Sequence, residues 1–286
     1  MNFTLALAQI DPVPGDLKRN IRTHIDRVRR ARDGGADLVV FPELSLTGYT
    51  LKDAVVELAL RSDGGGALDE LVEACGDATV IAGGVEESTD FGIYNAAFAL
   101  TGSGARVVHR KIYPPSYGMF EEQRYFLRGG TVSSFESPVG TLGVLICEDL
   151  WHLPLPYLLA KDGAPVIIAI AASPTRVSGS GGGLRNEEVN GENHRTLARL
   201  LSTYLCFCNR VGVEDGVNFW GGSSVQSPDG NTVVRARLFE EDLVFAEIDL
   251  AELRRARMMS RHFLDDDPHL TRRELARILG KPGSTA

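Results

Sequence analysis

Three segments of the chain combine a reactive side chain with the end of an expected strand. In Phe41-Pro42-Glu43-Leu44, Glu43 follows Leu38-Val39-Val40-Phe41 and a proline that stops the run. A carboxylate at such a border is partly desolvated and suits general-base work; the plainer alternative is a glutamate in a surface turn. In the stretch from Val107 to Pro115, Lys111 precedes Ile112-Tyr113-Pro114-Pro115. A fixed ammonium there stabilises a developing oxyanion, against the alternative of a solvated lysine. In the stretch from Leu142 to Trp151, Cys147 ends Leu142-Gly143-Val144-Leu145-Ile146 and is followed by Glu148-Asp149-Leu150-Trp151, which reads as a helix start. A strand-turn-helix step of this kind exposes a nucleophile, and a helix N-terminus with a nearby cation favours the thiolate. Cys75, Cys206 and Cys208 read instead as inert core residues, and no cysteine spacing suggests a disulfide framework or a zinc site.

These side chains need rigid elements to hold them. Short apolar runs rich in β-formers alternate with longer amphipathic segments, which predicts a layered α/β architecture. Strands are expected over 4–9, 38–41, 79–82, 94–100, 107–113, 140–146, 166–171, 205–211, 223–226, 232–237 and 243–248. Asp16 is placed to cap a helix in which Leu17, Ile21, Ile25 and Val28 recur at helical spacing, ending near Gly34-Gly35. Further helices are expected around 65–75, 153–162, 187–203 and 249–258. Leu38-Val39-Val40-Phe41, a continuous apolar run, predicts a strand covered on both faces. With no linker in view, one domain with two packed sheets follows, spanning 1–265. Residues 266–286 read as a C-terminal amphipathic helix carrying Leu270, Leu275 and Ile278, and a tail.

Taken in order, Phe-Pro-Glu, Arg-Lys and Cys-Glu-Asp at these separations resemble the nitrilase, or carbon-nitrogen hydrolase, superfamily. Ala8-Gln9, Gly83-Gly84, Tyr94-Asn95, Ala172-Ser173-Pro174, Asn209-Arg210-Val211-Gly212 and Phe219-Trp220-Gly221-Gly222-Ser223 resemble its other landmarks. The resemblance implies a four-layer α-β-β-α sandwich and a Glu-Lys-Cys triad that carries over onto Glu43, Lys111 and Cys147. It also implies a second glutamate supporting the lysine, for which Glu122 is the better match and Glu121 the fallback. Within the superfamily, Tyr117-Gly118, the Glu-Gln-Arg-Tyr-Phe run and Cys147-Glu148-Asp149-Leu150-Trp151 look most like the glutaminase domains of glutamine-dependent NAD synthetases. That likeness assigns Tyr117, Glu148, Trp151 and Ser173 to the substrate pocket. A glutamate beside the nucleophile attracts a substrate ammonium; alternatively it is a surface acid favoured at a helix N-terminus.

The expected chemistry is hydrolysis of a non-peptide amide through a thioester, releasing ammonia and an acid, with no metal or organic cofactor. Other amidase, carbamoylase or nitrilase substrates fall within the same reading. The synthetase's Ser-Gly-Gly-x-Asp-Ser nucleotide loop does not occur in the sequence, so an ammonia-supplying or non-catalytic partner of a separate synthetase is an alternative. A Cys-His hydrolase using His152 is another. The superfamily further implies a homodimer or higher homo-oligomer.

Composition narrows the partners. The 286 residues carry 38 acidic and 30 basic side chains, for a formal charge of -8. That balance argues against nucleic acid, which is held by clustered Lys and Arg. The one basic cluster, Arg27, Arg29, Arg30 and Arg32, reads as the solvated face of a helix. Hydrophobic residues at 43% and charged residues at 24% exclude a disordered or fibrous chain. The N-terminal apolar stretch is too short for a signal peptide or a membrane span, so a cytoplasmic protein is expected. The run Ser178-Gly179-Ser180-Gly181-Gly182-Gly183 reads as a surface loop, since neither a Walker nor a Rossmann phosphate signature accompanies it.

Overall fold

The computed structural model of the protein describes residues 2–61, 66–175 and 185–281. The Gly-rich run at 178–183 lies outside the described residues. In chain order the strands are β1 (Asn2–Gln9), β2 (Leu38–Val40), β3 (Leu60–Arg61), β4 (Thr79–Glu87), β5 (Ile93–Thr101), β6 (Gly104–Arg110), β7 (Phe135–Ser137), β8 (Gly140–Ile146), β9 (Val166–Ala171), β10 (Tyr204–Asn209), β11 (Val211–Glu214), β12 (Val217–Trp220), β13 (Ser224–Gln226), β14 (Thr232–Arg235) and β15 (Asp242–Asp249). The helices are α1 (Leu17–Asp33), α2 (Val55–Leu58), α3 (Asp69–Cys75), α4 (Glu122–Tyr125), α5 (Pro154–Lys161), α6 (Arg185–Leu201), α7 (Leu250–Met259), α8 (His262–Asp265) and α9 (Pro268–Leu279).

One sheet runs β15-β1-β2-β4-β5-β6, with β3 beside β4; the other runs β14-β13-β10-β9-β8-β7. Each has a parallel centre, β1-β2-β4 and β8-β9-β10, flanked by antiparallel strands. The period-two alternation of strands sorts the apolar side chains into layers. Leu5, Leu7, Leu38 and Val40 from the first sheet meet Val144, Ile146, Ile168 and Ile170 from the second in the central core. Ala6, Ala8, Val39 and Val80 face outward onto Ile21, Ile25 and Val28 of α1 and Leu71 of α3. Leu145, Ile167, Ala169 and Leu205 pack on Leu155 and Leu159 of α5 and Leu197 of α6. The result is the α-β-β-α sandwich that the resemblance implied.

Most expected elements are present, with boundaries shifted by identifiable side chains. Asp16 caps α1 by accepting the Arg19 N–H at 3.0 Å. The strand expected over 107–113 ends at Arg110, because the N–H groups of Ile112 and Tyr113 bond the Asp149 carboxylate and leave the ladder. The strand expected over 205–211 divides at Arg210 into β10 and β11. The two-residue β3, the three-residue β7, the four-residue β12 and the single-turn helices α2, α4 and α8 are too short to leave a periodic signal. Within the basic cluster, Arg29, Arg30 and Arg32 are exposed, whereas Arg27 is half-buried and paired with Glu241 at 2.9 Å. Helix α9 forms as expected, and all of its residues are exposed. No helix among the described residues is long and apolar enough to cross a membrane.

One glycine on β4 is required by the turn that carries Glu43. A Cβ on Gly83 would sit 2.4 Å from the Leu44 nitrogen and 2.7 Å from the Pro42 oxygen, both backbone atoms. Gly191 in α6 has nothing within 4 Å of its Cβ position. In urea denaturation, Gly83→Ala should therefore lower the unfolding free energy by about 1–3 kcal/mol. Gly191→Ala should raise it by about 0.5–1 kcal/mol. A neutral Gly83→Ala would contradict the close approach.

Candidate active site

The strand ends of the two parallel centres converge, as ligand sites in α/β sheets usually do. Glu43 lies three residues past the end of β2, in a turn where Leu44 adopts a left-handed φ of 49°. Lys111 is the first residue after β6. Its N–H donates to Asn95 O at 2.9 Å and its carbonyl accepts the Gly129 N–H at 2.8 Å. Cys147 is the first residue after β8 and opens a short 3₁₀ turn over Cys147–Trp151. Its φ of 48° is rare for a side-chain-bearing residue and marks a sharp elbow. Glu122 opens the single-turn helix α4.

Lys111 Nζ lies 2.7 Å from Glu43 Oε1 and 2.7 Å from Glu122 Oε1. All three groups are buried. Asn95 Nδ2 donates to Glu43 Oε1 at 2.7 Å and to Glu122 Oε2 at 3.4 Å. The Ala172 N–H, at the end of β9, donates to Glu43 Oε2 at 2.8 Å and so joins the second sheet to the first. The Tyr49 hydroxyl donates to Glu122 Oε1.

Burial alone would lower the proton affinity of Lys111, but the facing Glu122 and Glu43 carboxylates hold it well above that of an ordinary lysine. Burial pushes Glu122 up to about 7, Lys111 opposing and Glu43 adding to the rise. Cys147 is also pushed well above an ordinary thiol, first by burial and next by the Glu43 charge, with Lys111 only partly offsetting them. Burial and the Glu43 charge thus oppose the thiolate that a helix N-terminus and a nearby cation would favour. Burial likewise raises Cys75, to about 12, and Cys206 and Cys208.

Cys147 opens onto a cleft of about 240 Å³ whose lining includes Tyr117, Glu148, Trp151 and Ser173. The Tyr117 hydroxyl donates to Glu148 Oε2 at 2.8 Å, and Trp220 Nε1 donates to Ser173 Oγ at 3.1 Å. The structure thus gathers Glu43, Lys111 and Glu122 into one hydrogen-bonded cluster and sets Cys147 and the four expected pocket residues around one cleft. Glu121 is exposed and takes no part in the cluster. His152 stacks on Tyr113 with ring centroids 3.4 Å apart and does not line the cleft, which leaves the Cys-His alternative without its base. Asn186 and Asn190 line the cleft and were not anticipated; neither was the part Tyr49 and Asn95 play in the cluster. Tyr94-Asn95 stood out in the sequence only as a landmark, and nothing marked Tyr49. Among the described residues no group of three or more His, Cys, Asp or Glu side chains is arranged to hold a metal ion.

The carbon-nitrogen hydrolase family profile matches residues 4–258. The chain belongs to the carbon-nitrogen hydrolase family. Among its relatives, the glutamine-dependent NAD(+) synthetase of Thermotoga maritima is 32% identical over 253 residues, which cover 87% of this hydrolase and 42% of that protein. The structure of glutamine-dependent NAD+ synthetase from Acinetobacter baumannii superposes with a TM-score of 0.79 at 30% identity, over 88% of this hydrolase and 47% of that chain. The hydrolase thus spans less than half the length of these relatives. A carbon-nitrogen hydrolase from Helicobacter pylori shares the fold nearly end to end, with a TM-score of 0.83 at 24% identity over 96% and 99% of the two chains.

The opposing charges around the thiol give a direct test that needs no substrate. Because Glu122 raises and Lys111 lowers the proton affinity of Cys147, Glu122→Gln should move the pH profile of iodoacetamide alkylation to lower pH. Lys111→Met should move it to higher pH. Profiles that coincide with wild type would show that the cluster does not act on the thiol.

Proposed function

We propose that this hydrolase cleaves a small amide that carries an ammonium group, with glutamine as the leading candidate. The observation that carries the reading is the buried Lys111 ammonium held between Glu43 and Glu122 beside the Cys147 thiol. In the proposed reaction the Cys147 sulfur attacks the amide carbonyl carbon as its proton passes to Glu43. Lys111 and the backbone N–H after Cys147 take up the charge on the oxygen. Glu43 returns the proton to the departing nitrogen, and ammonia leaves a thioester on Cys147. Glu43 then deprotonates water, which attacks the thioester and releases the acid and the thiol. A neutral resting thiol fits this sequence, since proton removal is coupled to attack.

The substrate class draws support from the cleft. Glu148 offers a carboxylate to a cation, and the Tyr117 hydroxyl orients it. The volume of about 240 Å³ is below the range typical of drug-sized ligands and suits a single amino-acid amide. The synthetases it is similar to are glutamine-dependent. Because the match spans less than half of their length, a second reading makes this chain an ammonia source for a separate synthetase. It predicts slow glutamine turnover that rises when that synthetase is added.

Ammonia release from glutamine and from acetamide tests the reading. Cys147→Ala and Glu43→Gln should each reduce release from both by about 10⁴-fold or more. Glu148→Gln should raise KM for glutamine by roughly 10- to 100-fold, the worth of a hydrogen bond to a charged group, while leaving acetamide unaffected. Activity retained in Cys147→Ala would refute the mechanism, and an unchanged glutamine KM in Glu148→Gln would refute the substrate class.

A further inference from the structure

One buried carboxylate next to the site has more partners than the proposed reaction uses. Asp149, two residues past Cys147, is fully buried. Its Oδ1 accepts the N–H of Ile112 at 3.0 Å and of Tyr113 at 2.9 Å. Its Oδ2 lies 2.8 Å from His109 Nε2 and 3.3 Å from the Ile146 nitrogen. A carboxylate only accepts, so the proton between them sits on His109 Nε2. His109 is itself buried.

The sequence positions of these partners give the arrangement its meaning. His109 and Ile112 bracket Lys111, and Ile146 immediately precedes Cys147. A single side chain therefore ties the backbone around the ammonium to the backbone around the nucleophile, across the gap between a strand of one sheet and a strand of the other. The left-handed elbow at Cys147 makes such an anchor necessary. A side-chain-bearing residue in that region is strained and persists only where its surroundings over-determine it. The Ile146 N–H and the Ile112 and Tyr113 N–H groups supply that constraint through one carboxylate.

We propose that Asp149, oriented by His109, is a positioning residue that sets the separation of the Lys111 ammonium and the Cys147 sulfur. The effect on rate rests on the amide-hydrolase reading above, whereas the effect on the thiol does not.

Asp149→Asn keeps the size and one oxygen for Ile112 and Tyr113 but turns an NH₂ toward His109 and Ile146. A misplacement of about 1 Å at a reacting centre can cost roughly 100-fold, so kcat should fall by about that factor. Iodoacetamide alkylation of Cys147 should move to higher pH, because Lys111 no longer sits where it offsets the carboxylates. His109→Gln, which keeps an N–H donor, should hold kcat within about threefold, whereas His109→Leu should lose roughly tenfold. Wild-type alkylation profiles in both Asp149→Asn and His109→Leu would overturn the proposal, whatever happens to melting temperature. If Asp149→Asn does not fold, the His109 pair decides on the same two readouts. A wild-type protein that hydrolyses no amide, yet whose alkylation profile shifts in these variants, refutes the amide-hydrolase reading and upholds the positioning role.

Discussion

The arrangement of this molecule turns on one ammonium group removed from water. Lys111 is almost wholly buried, and its charge is tolerable only because Glu43 and Glu122 both lie 2.7 Å from it. Burying one ion costs several kcal/mol even after relaxation, and removing one partner of such a group typically destabilises by about 3–5 kcal/mol. The converse also holds. Two carboxylates this close repel, and the lysine is what lets them share a site. Burial first, and then the negative charge of Glu43, make the neighbouring Cys147 thiol keep its proton more tightly than an exposed cysteine would. In the proposed reaction that tighter hold is an advantage: Glu43 stands ready to take the proton only when the sulfur gains a bond to carbon.

Holding such a cluster together demands agreement between two sheets. Glu43 and Lys111 come from the first sheet and Cys147 from the second, with the Ala172 N–H crossing to the Glu43 carboxylate. Farther from the cleft, Gln9 at the end of β1 donates to the carbonyls of Arg237 and Glu240 and accepts from Ser223. Asn209 at the end of β10 is bonded to Ser173, Ser223 and Gly221. Arg210, fully buried, pairs with Asp11 and Glu214, and Glu214 in turn accepts the backbone N–H groups of Tyr49 and Thr50. That chain of contacts reaches Tyr49, whose hydroxyl bonds Glu122. Positions that looked in the sequence like scattered landmarks are therefore the frame on which the cluster hangs.

How much of this could be read from the sequence follows from the range of each interaction. Strands and helices were legible because their apolar patterning is local, as in the continuous Leu38-Val39-Val40 run or the Ile21-Ile25-Val28 face of α1. Glu43, Lys111 and Cys147 were legible because each lies at or just past a strand end. Glu122 rather than Glu121 needed the family resemblance, and burial then explains the preference. Long-range pairings were not legible. Nothing near Asp149 in the sequence announces that it will bond Ile112 and Tyr113, so the expected strand over 107–113 lies three residues C-terminal of β6 at Gly104–Arg110. The same limit explains the thiolate expectation. A helix N-terminus and a cation are visible in the sequence around Cys147, but the desolvation and the second carboxylate that outweigh them appear only when the sheets pack.

The most direct measurement is partitioning of the acyl group during turnover of glutamine in increasing hydroxylamine. The proposed thioester on Cys147 predicts hydroxamate formed at the expense of the free acid, with both products lost together in Cys147→Ala. Turnover that yields acid alone at every hydroxylamine concentration, or hydroxamate that persists without Cys147, would contradict it.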